Sequence, residues 1–167
     1  MIFSSTAAVH PLVRAAAPED AALILQITLK AWRDKVHPSS SVFRETVGDV
    51  AQQIAEGGGC ILYIADAPVG SVRFAPVPGA WEVRRMGVLP EHRGQGLGLA
   101  LMNAVVAGAL QREVPELRLA VRHDQSSLVE FYSGMGFALA PEIEYAHANP
   151  ASPPPTVMRR KLAVGGA

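Results

Sequence analysis

Apolar residues recur along this chain with two spacings, which together predict the order of its elements. Short apolar or alternating runs bounded by Gly, Pro or Asp indicate strands, whereas apolar residues three or four positions apart indicate helices. We predict about seven strands, over 12–15, 60–65, 69–75, 82–88, 117–121, 137–145 and 156–162. Two helices are predicted between the first and second strands, and one helix after each of the fourth and fifth strands.

The two helices after the first strand have recognisable ends. Pro18-Glu19-Asp20 puts a proline and two acids in a first helical turn, and the apolar stripe that begins at Leu23 stops before His37-Pro38. The hydroxyls of Ser39–Ser41 are candidate caps for the second helix, which the glycines at 57–59 should end.

The helix predicted over about 98–112 is apolar on nearly all sides, so it should be buried against a sheet. It joins strand 82–88 to strand 117–121, and a helical crossover makes two such strands parallel neighbours. The predicted order is β-α-α-β-β-β-α-β-α-β-β, a mixed α/β domain. Ligands of such sheets bind at the carboxyl ends of the parallel strands.

The composition is typical of one globular domain. Of 167 residues, 49% are hydrophobic and 18% charged, and we expect a single domain over 1–167 with its core at about 12–163. Fifteen basic residues balance fifteen acidic ones, so we expect neither a nucleic acid nor a membrane as a partner. Residues 148–155 include four prolines and are predicted to form an exposed loop.

Several features favour a cytoplasmic protein. No run approaches the ~18 unbroken apolar residues of a membrane span, and the first ten residues lack the basic region of a signal peptide. Cys60 is the lone cysteine and cannot form an internal disulfide, which agrees with a reducing compartment. We expect Cys60 to be a buried structural thiol, and no metal, because no His or Cys cluster has metal-ligand spacing. The sequence leaves a homodimer open.

A strand, a glycine-rich turn and a helix follow one another at 82–101. Glycines at 94, 96 and 98 let a phosphate approach the backbone without meeting a Cβ. The helix N-terminus adds free N–H groups and roughly half a positive charge. A Rossmann fingerprint is excluded because Leu99 stands where its third glycine is needed, and a P-loop because the turn has no lysine. We therefore expect a phosphate-bearing ligand at 93–99.

Two motifs resemble those of the GNAT superfamily of N-acetyltransferases, which use acetyl-coenzyme A. The first, Arg93-x-x-Gly96-x-Gly98, is similar to the pyrophosphate-binding motif of that superfamily. The second, at 124–137, is similar to its later motif Asn-x-x-Ala-x-x-x-Tyr-x-x-x-Gly-Phe, whose last three fixed positions hold Tyr132, Gly136 and Phe137. Gln125 stands in place of the usual asparagine and is one methylene longer, and Leu128 replaces the usual alanine.

The resemblance implies both a fold and a ligand site. The fold would be α/β, with a mixed, largely antiparallel sheet and one parallel strand pair at the cofactor site. Pantetheine would lie along the end of strand 82–88, and the pyrophosphate would meet the amides at 94–99. The cofactor-binding residues implied are Met86, Gly87, Val88, Arg93, Gly94, Gln95, Gly96, Leu97, Gly98, Leu99, Gln125 and Tyr132. For Arg93 the alternative is a solvated arginine that packs the loop.

Acetyl transfer to an amine requires that the amine lose a proton, that the oxyanion be stabilised and that the departing thiolate gain a proton. Tyr132 matches the position of the family's general acid, the alternative being a tyrosine that only packs its helix on the sheet. Glu82 lies where some members carry a general base, the alternative being a surface pair with Arg84. His123 is a second candidate base, or else an exposed strand-end residue.

The implied activity is transfer of an acetyl group to a primary amine of a small molecule or peptide, by direct attack in a ternary complex. An alternative is a non-catalytic acyl-coenzyme A binding module of the same fold, which Gln125 favours and Tyr132 opposes. A third is an interaction protein that exposes the proline-rich loop. The acceptor would be selected by about 31–43 and by the loop near 146–155, and the mixed charges of the first segment indicate no particular amine.

Overall fold

The structure is a computed structural model that describes residues 10–147 and 149–165. Within these residues seven strands form one sheet: β1 (Pro11–Ala15), β2 (Gly58–Ile64), β3 (Ala67–Val77), β4 (Ala80–Val88), β5 (Glu116–Val121), β6 (Ala138–Leu139) and β7 (Thr156–Lys161). The same residues form four α-helices: α1 (Ala21–Trp32), α2 (Val47–Glu56), α3 (Leu97–Gln111) and α4 (Ser127–Ser133).

The strands lie in the order β1-β2-β3-β4-β5-β7-β6. Neighbouring strands are antiparallel except β4 and β5, which pair in parallel at Trp81 with Leu117 and at Glu82 with Arg118. α3 is the crossover between these two strands, as parallel neighbours require. The predicted element order, the mixed sheet and its parallel pair are confirmed.

The helices cover both faces of the sheet, because successive side chains of a strand point to opposite sides. On one face α1 and α2 pack around Ile61 of β2, with Ile24 and Val50 fully buried. On the other face Leu62 belongs to a larger core with α3. The buried residues of α3 are Leu97, Leu101, Met102, Val105 and Ala109, whereas Leu99 and Leu110 are exposed, so this helix is buried on fewer sides than predicted.

The second predicted helix begins later than expected. Residues Ser41–Arg44 form a short 3₁₀ turn, in which the Ser40 hydroxyl accepts a bond from the Val42 N–H. The α-helix starts only at Val47, after a capping box in which Thr46 and Asp49 bond each other's backbone N–H groups. That reciprocal cap satisfies two free donors and fixes the start of α2.

Two strand boundaries also differ from the prediction, and proline explains both. β3 continues through Pro76, which pairs with Trp81 of β4. On the other side of β3, β2 begins only opposite Phe74, so no strand there requires the N–H that proline lacks. The strand predicted over 137–145 is only two residues long. Pro141 follows closely and cannot donate to the ladder, and the chain turns instead.

An irregularity in β4 shapes the middle of the sheet. Between the pairs Ser71–Gly87 and Arg73–Arg84, Val72 lies opposite both Arg85 and Met86. This is a β-bulge, and its extra residue Arg85 has φ 53°. Bulges bend and twist a strand, and β4 pairs with β5 only before this point. The two strands therefore diverge beyond Glu82 and leave an opening in the sheet.

Residues 1–9, for which we predict no signal peptide, and Ala148, at the start of the proline-rich segment, lie outside the described residues. In the part of the chain that the structure describes, no helix combines the length and the hydropathy that a membrane span requires.

One ion pair is buried between β3 and the segment that precedes α2. Arg73 is 1% exposed and donates to both carboxylate oxygens of Glu45, at 2.8 and 3.0 Å, and to Gln53 Oε1 at 2.8 Å. Burial would raise the pKa of Glu45, but the bonds and positive charge of Arg73, with the charge of Arg85, hold that pKa below its usual range. The two buried charges therefore depend on each other.

We expect Glu45→Gln to lower the free energy of unfolding by about 3–5 kcal/mol, because Arg73 would stay buried without a counter-charge. Urea denaturation at pH 7 measures this. The control is Glu142→Gln, which breaks an exposed pair with Arg159 and should cost less than about 1 kcal/mol.

The difference between Glu45→Gln and the parent should depend on pH. Because the folded-state pKa of Glu45 is depressed, its stabilisation is present above the ordinary value of 4.5 and is lost as pH falls through the folded value. The stability gap should therefore narrow below pH 4.5. A gap that stays constant from neutral to acidic pH would show that the charge of Glu45 does not stabilise the fold.

Candidate functional site

A cavity of about 1140 Å³ opens where β4 and β5 diverge. Its walls come from the C-terminal end of α1, the second half of β4, the glycine turn before α3, the end of β5, one side of α4 and the loop around 145–155. It lies at the carboxyl ends of the two parallel strands, where the sheet topology predicts a ligand. Residues of both sequence motifs, and of both segments expected to select an acceptor, line this one cavity.

The glycine turn leaves an exposed helix N-terminus at the cavity. Gly94 and Gly96 have φ values of 79° and 74°, and a Cβ on either would meet no atom within 4 Å. Gly96 is the N-cap of α3, which has no side-chain cap and no acid in its first turn. Unlike α2, whose first N–H groups are bonded by a capping box, α3 leaves its first N–H groups available to another partner. Backbone donors and the helix dipole together favour an anion.

The edge of β4 beyond the bulge is directed into the opening. Leu89 N–H donates to Val69 O, and Gly87 pairs with Ser71, so the alternate residues Met86 and Val88 direct their backbone groups away from β3. These groups lie on the side of β5, past the point where the two strands pair. A ligand that lies along this edge can take the place of the missing strand neighbour.

Gly87 is needed for packing as well. A Cβ at this position would lie 2.9 Å from the Cβ of Ala31 and 3.0 Å from Nε1 of Trp32, both on α1. The same Trp32 Nε1 donates to the Met86 carbonyl at 3.3 Å. Glycine therefore allows α1 to approach β4 closely enough to form one wall of the cavity.

Two side chains expected to reach the cofactor have other partners in the structure, and a third lies outside the cavity. Arg93 donates to the carbonyl oxygens of Ala31 and of Val88, so it joins α1 to β4. Gln125 donates to the carbonyl of Lys35. Gln95 is exposed and does not line the cavity. All the other expected cofactor residues line it, Arg93 and Gln125 included, as do Glu82 and His123.

Tyr132 lies on α4, between the ring of Phe131 at 5.2 Å and that of Phe137 at 6.0 Å, both edge to face. Burial raises the pKa of its phenol to about 12. The hydroxyl therefore stays protonated over the physiological range and can donate a hydrogen bond into the cavity, but it is a weaker acid than a free tyrosine.

Glu82 is the last residue of β4 that pairs with β5, so it stands where the opening begins. Its carboxylate accepts from Arg84 Nε at 2.5 Å, which was the structural alternative for this residue. The two interpretations coexist, because Glu82 also lines the cavity. Arg84 in turn lies 3.1 Å from Nε2 of His147. His123 is exposed at the end of β5, on the cavity wall.

Arg85, Tyr145 and His147 line the cavity beside Glu82 and Arg84. Sequence reasoning placed His147 in the loop near 146–155 that was expected to select an acceptor, but it missed Arg85 and Tyr145. Tyr145, directly before that loop, was a usable signal. Arg85 gave no such signal, because its position depends on a bulge that alternation along a strand does not reveal. Cys60 is buried and outside the cavity, and burial raises the pKa of its thiol to about 11.

Comparison with known proteins places this geometry in a family. The model of the acetyltransferase (GNAT) family matches residues 24–137. A 62-residue segment is 40% identical to GCN5-related N-acetyltransferase 2, chloroplastic, of Arabidopsis thaliana, and covers 37% of this chain but 22% of that protein. The chain thus matches only about a fifth of that relative's length.

Solved structures agree in fold. The PaiA N-acetyltransferase of Thermoplasma acidophilum, in complex with coenzyme A, aligns with a TM-score of 0.75 at 14% identity, over 92% of this chain and 99% of that one. The ribosomal-protein-S18-alanine N-acetyltransferase of Escherichia coli aligns with a TM-score of 0.71 at 18% identity, over 94% and 97%. Since the family model matches more than half of the chain, the chain belongs to the acetyltransferase (GNAT) family.

Proposed function

We propose that this chain, as a single N-acetyltransferase domain over 1–167, transfers an acetyl group from acetyl-coenzyme A to a primary amine of a small molecule or peptide. The amine would attack the thioester directly in a ternary complex. One observation carries the proposal: a single cavity joins an uncapped helix N-terminus, a strand edge that lacks a strand neighbour, a protonated phenol and a carboxylate. The fold shared with the coenzyme A complex of PaiA supports the same donor.

The residues present fit coenzyme A. The open space around Gly94 and Gly96, with the uncapped N–H groups that follow, suits a pyrophosphate. The backbone edge at Met86 and Val88 suits the amides of pantetheine, because an extended chain can pair there as a strand would. When bound, acetyl-coenzyme A supplies the acyl thioester.

The chain's own residues would then handle two protons. Glu82, directly or through water, would accept the proton of the amine, which at neutral pH is mostly an ammonium. Tyr132, as the general acid, would donate a hydrogen bond from its hydroxyl to the departing sulfur and so stabilise the charge that develops there. His123 remains the second candidate base.

The second candidate is a non-catalytic acyl-coenzyme A binding module of the same fold. The bond of Gln125 to Lys35 favours it, because that amide is no longer free for a cofactor. Release of free coenzyme A from acetyl-coenzyme A, measured with a panel of polyamines, aminoglycosides, amino acids and peptides, separates the two. Amine-dependent release supports the enzyme, whereas binding without release with every amine supports the module.

Gly96→Asp should abolish the rise in melting temperature that acetyl-coenzyme A causes, because a carboxylate would then face the pyrophosphate. A ligand stabilises the folded state by mass action, so thermal denaturation with and without the coenzyme measures binding.

Gly79→Asp is the matched control. Gly79 has φ 75° and, like Gly96 at 74°, open space around a Cβ, but it lies in the hairpin turn between β3 and β4. Both variants carry the same backbone penalty, and only Gly96→Asp should lose the coenzyme-dependent shift. A full shift in a folded Gly96→Asp variant would place the coenzyme elsewhere.

Tyr132→Phe should lower kcat about 10²-fold, the lower end of the range for general acid catalysis, because a phenol with a pKa of about 12 donates weakly. Ring packing is kept, so coenzyme affinity should change little. Tyr145→Phe removes the other phenol on the cavity wall and should change kcat by less than about tenfold. A Tyr132→Phe kcat within about twofold of the parent would leave this tyrosine only a packing role.

Glu82→Gln should remove or displace the acidic limb of the pH–rate profile if Glu82 accepts the amine proton, directly or through water. The profile of kcat/KM should be measured beside that of His123→Gln. If only His123→Gln alters the limb, the base is His123 and Glu82 serves to hold Arg84.

A further inference from the structure

We infer that the acceptor amine carries a carboxylate, which binds Arg85 on the bulge of β4. This inference rests on the proposed function and narrows its acceptor to small amino acid-like molecules. It starts from the charges around the acceptor side of the cavity. Three arginines, Arg73, Arg84 and Arg85, stand beside only two carboxylates, Glu45 and Glu82.

Both carboxylates are occupied by the other two arginines. Each oxygen of Glu45 accepts a bond from Arg73, at 2.8 and 3.0 Å, and Glu82 accepts from Arg84 Nε at 2.5 Å. Arg85 Nε is left 3.4 Å from an oxygen that Arg73 already bonds. Among the described residues of this cluster, Arg85 is therefore the cation in excess.

The position of Arg85 is held by its own contacts. One terminal nitrogen donates to the Ser41 hydroxyl at 3.1 Å, and the guanidinium lies 5.3 Å from the centre of the Trp32 ring. Its side chain is 21% exposed and lines the cavity. A planar cation that is fixed in place and only partly solvated is suited to a carboxylate, which it can bind through two N–H groups.

The backbone at Arg85 points to the same conclusion. Its φ of 53° is one that glycine or asparagine adopts at lower cost, yet a long basic side chain stands there. A bulge re-aims a side chain, and here it turns an arginine of a central strand toward the opening. Backbone strain of this kind persists where the surrounding structure enforces it, and it is concentrated at ligand sites.

Other acids near Arg85 lie outside the cavity. Asp49 and Glu56 share with Arg85 a shallow pocket of about 330 Å³ on the outer surface and do not line the larger cavity. Asp49 is engaged in the cap of α2, and Glu56 accepts from Gln52 at 2.8 Å. Burial is the main reason that the pKa of Arg85 is lowered; the charges of Arg73 and Arg84 act in the same direction, and those of Glu45 and Tyr145 oppose it.

The size of the acceptor follows from the strand. Glu82 and Arg85 lie three residues apart on β4 and line the same cavity, and three residues of extended chain span at most about 11 Å. An amine beside Glu82 and a carboxylate at Arg85 can therefore belong to one small molecule. An α-amino acid, or one with a few more carbons between its two charged groups, meets that requirement.

The test compares α-amino acids with their α-amides in pairs, by kcat/KM for coenzyme A release. A carboxylate keeps the neighbouring ammonium protonated, so intrinsic reactivity at neutral pH favours the amide, and a preference for the acid must come from the site. We expect the parent to prefer the acid about ten- to a hundredfold, as a charge-assisted bond allows. In Arg85→Gln the kcat/KM values for the acid and the amide should differ by less than about threefold, mainly because the KM for the acid rises.

Two further variants support the comparison. Arg112→Gln removes the same charge from the exposed end of α3, outside the cavity, and should keep the parent's ratio within about twofold. Arg85→Lys keeps the charge but loses the paired N–H groups, so it should retain part of the preference. An unchanged coenzyme-dependent melting shift shows that each variant is folded, and the acid-to-amide ratio of the parent needs no variant at all.

The two proposals can fail separately. Amine-dependent release with equal rates for acid and amide would overturn the carboxylate site and leave the transferase intact. If no amine is acetylated, the transferase proposal is wrong, and titration of the coenzyme A-loaded protein with N-acetylalanine and N-acetylalaninamide then decides. Tighter binding of the acid, lost in Arg85→Gln, supports the site, and equal or undetectable binding of both compounds overturns it.

Discussion

The extra residue in β4 is the constraint on which the rest of the structure depends. A regular β4 would continue to pair with β5 beyond Glu82, and the sheet would be closed where the cavity now lies. The bulge keeps the β3 pairing on one edge, through Gly87 and Ser71, while it frees the other edge at Met86 and Val88. A strand with one paired and one open edge can accept an extended ligand as its missing neighbour.

Helix α1 stabilises this opening instead of filling it. Gly87 admits the helix to a close contact, and Trp32 and Arg93 satisfy carbonyls of Met86 and Val88 that would otherwise lack a strand partner. Unpaired backbone groups in a partly buried site are costly, so these two side chains reduce the cost of an open strand edge. For Arg93 the sequence left open a contact with the cofactor and a role in packing the loop, and in the structure its side chain joins α1 to β4.

The features of the fold and the site that the sequence predicts are those set by interactions between residues close together along the chain. The glycine turn, the helical crossover α3 and the parallel pair depend on local patterns and one connection, and the structure confirms them. The late start of α2 and the short β6 depend on a capping box and a proline, which override the apolar periodicity around them. Arg85 and the Arg73–Glu45 pair join segments distant along the chain, and no periodicity in one sequence indicates such contacts.

The two groups proposed to handle protons, Tyr132 and Glu82, would face unequal tasks. A free thiol has a pKa of ~8.5, so its thiolate is a fair leaving group at neutral pH, and a hydrogen bond to the sulfur stabilises it until it gains a proton. Tyr132, with a phenol pKa raised to about 12 by burial, is suited to donate such a bond and poorly suited to give up its proton. The harder step is deprotonation of an amine whose pKa lies well above neutrality. The carboxylate of Glu82, the proposed base, is held in place by Arg84. The amine would therefore have to be positioned close to Glu82 before it could lose its proton. An arginine that anchors the other end of the acceptor would position the amine beside this base. Such orientation of the reactants lowers the activation barrier in addition to what the base itself contributes.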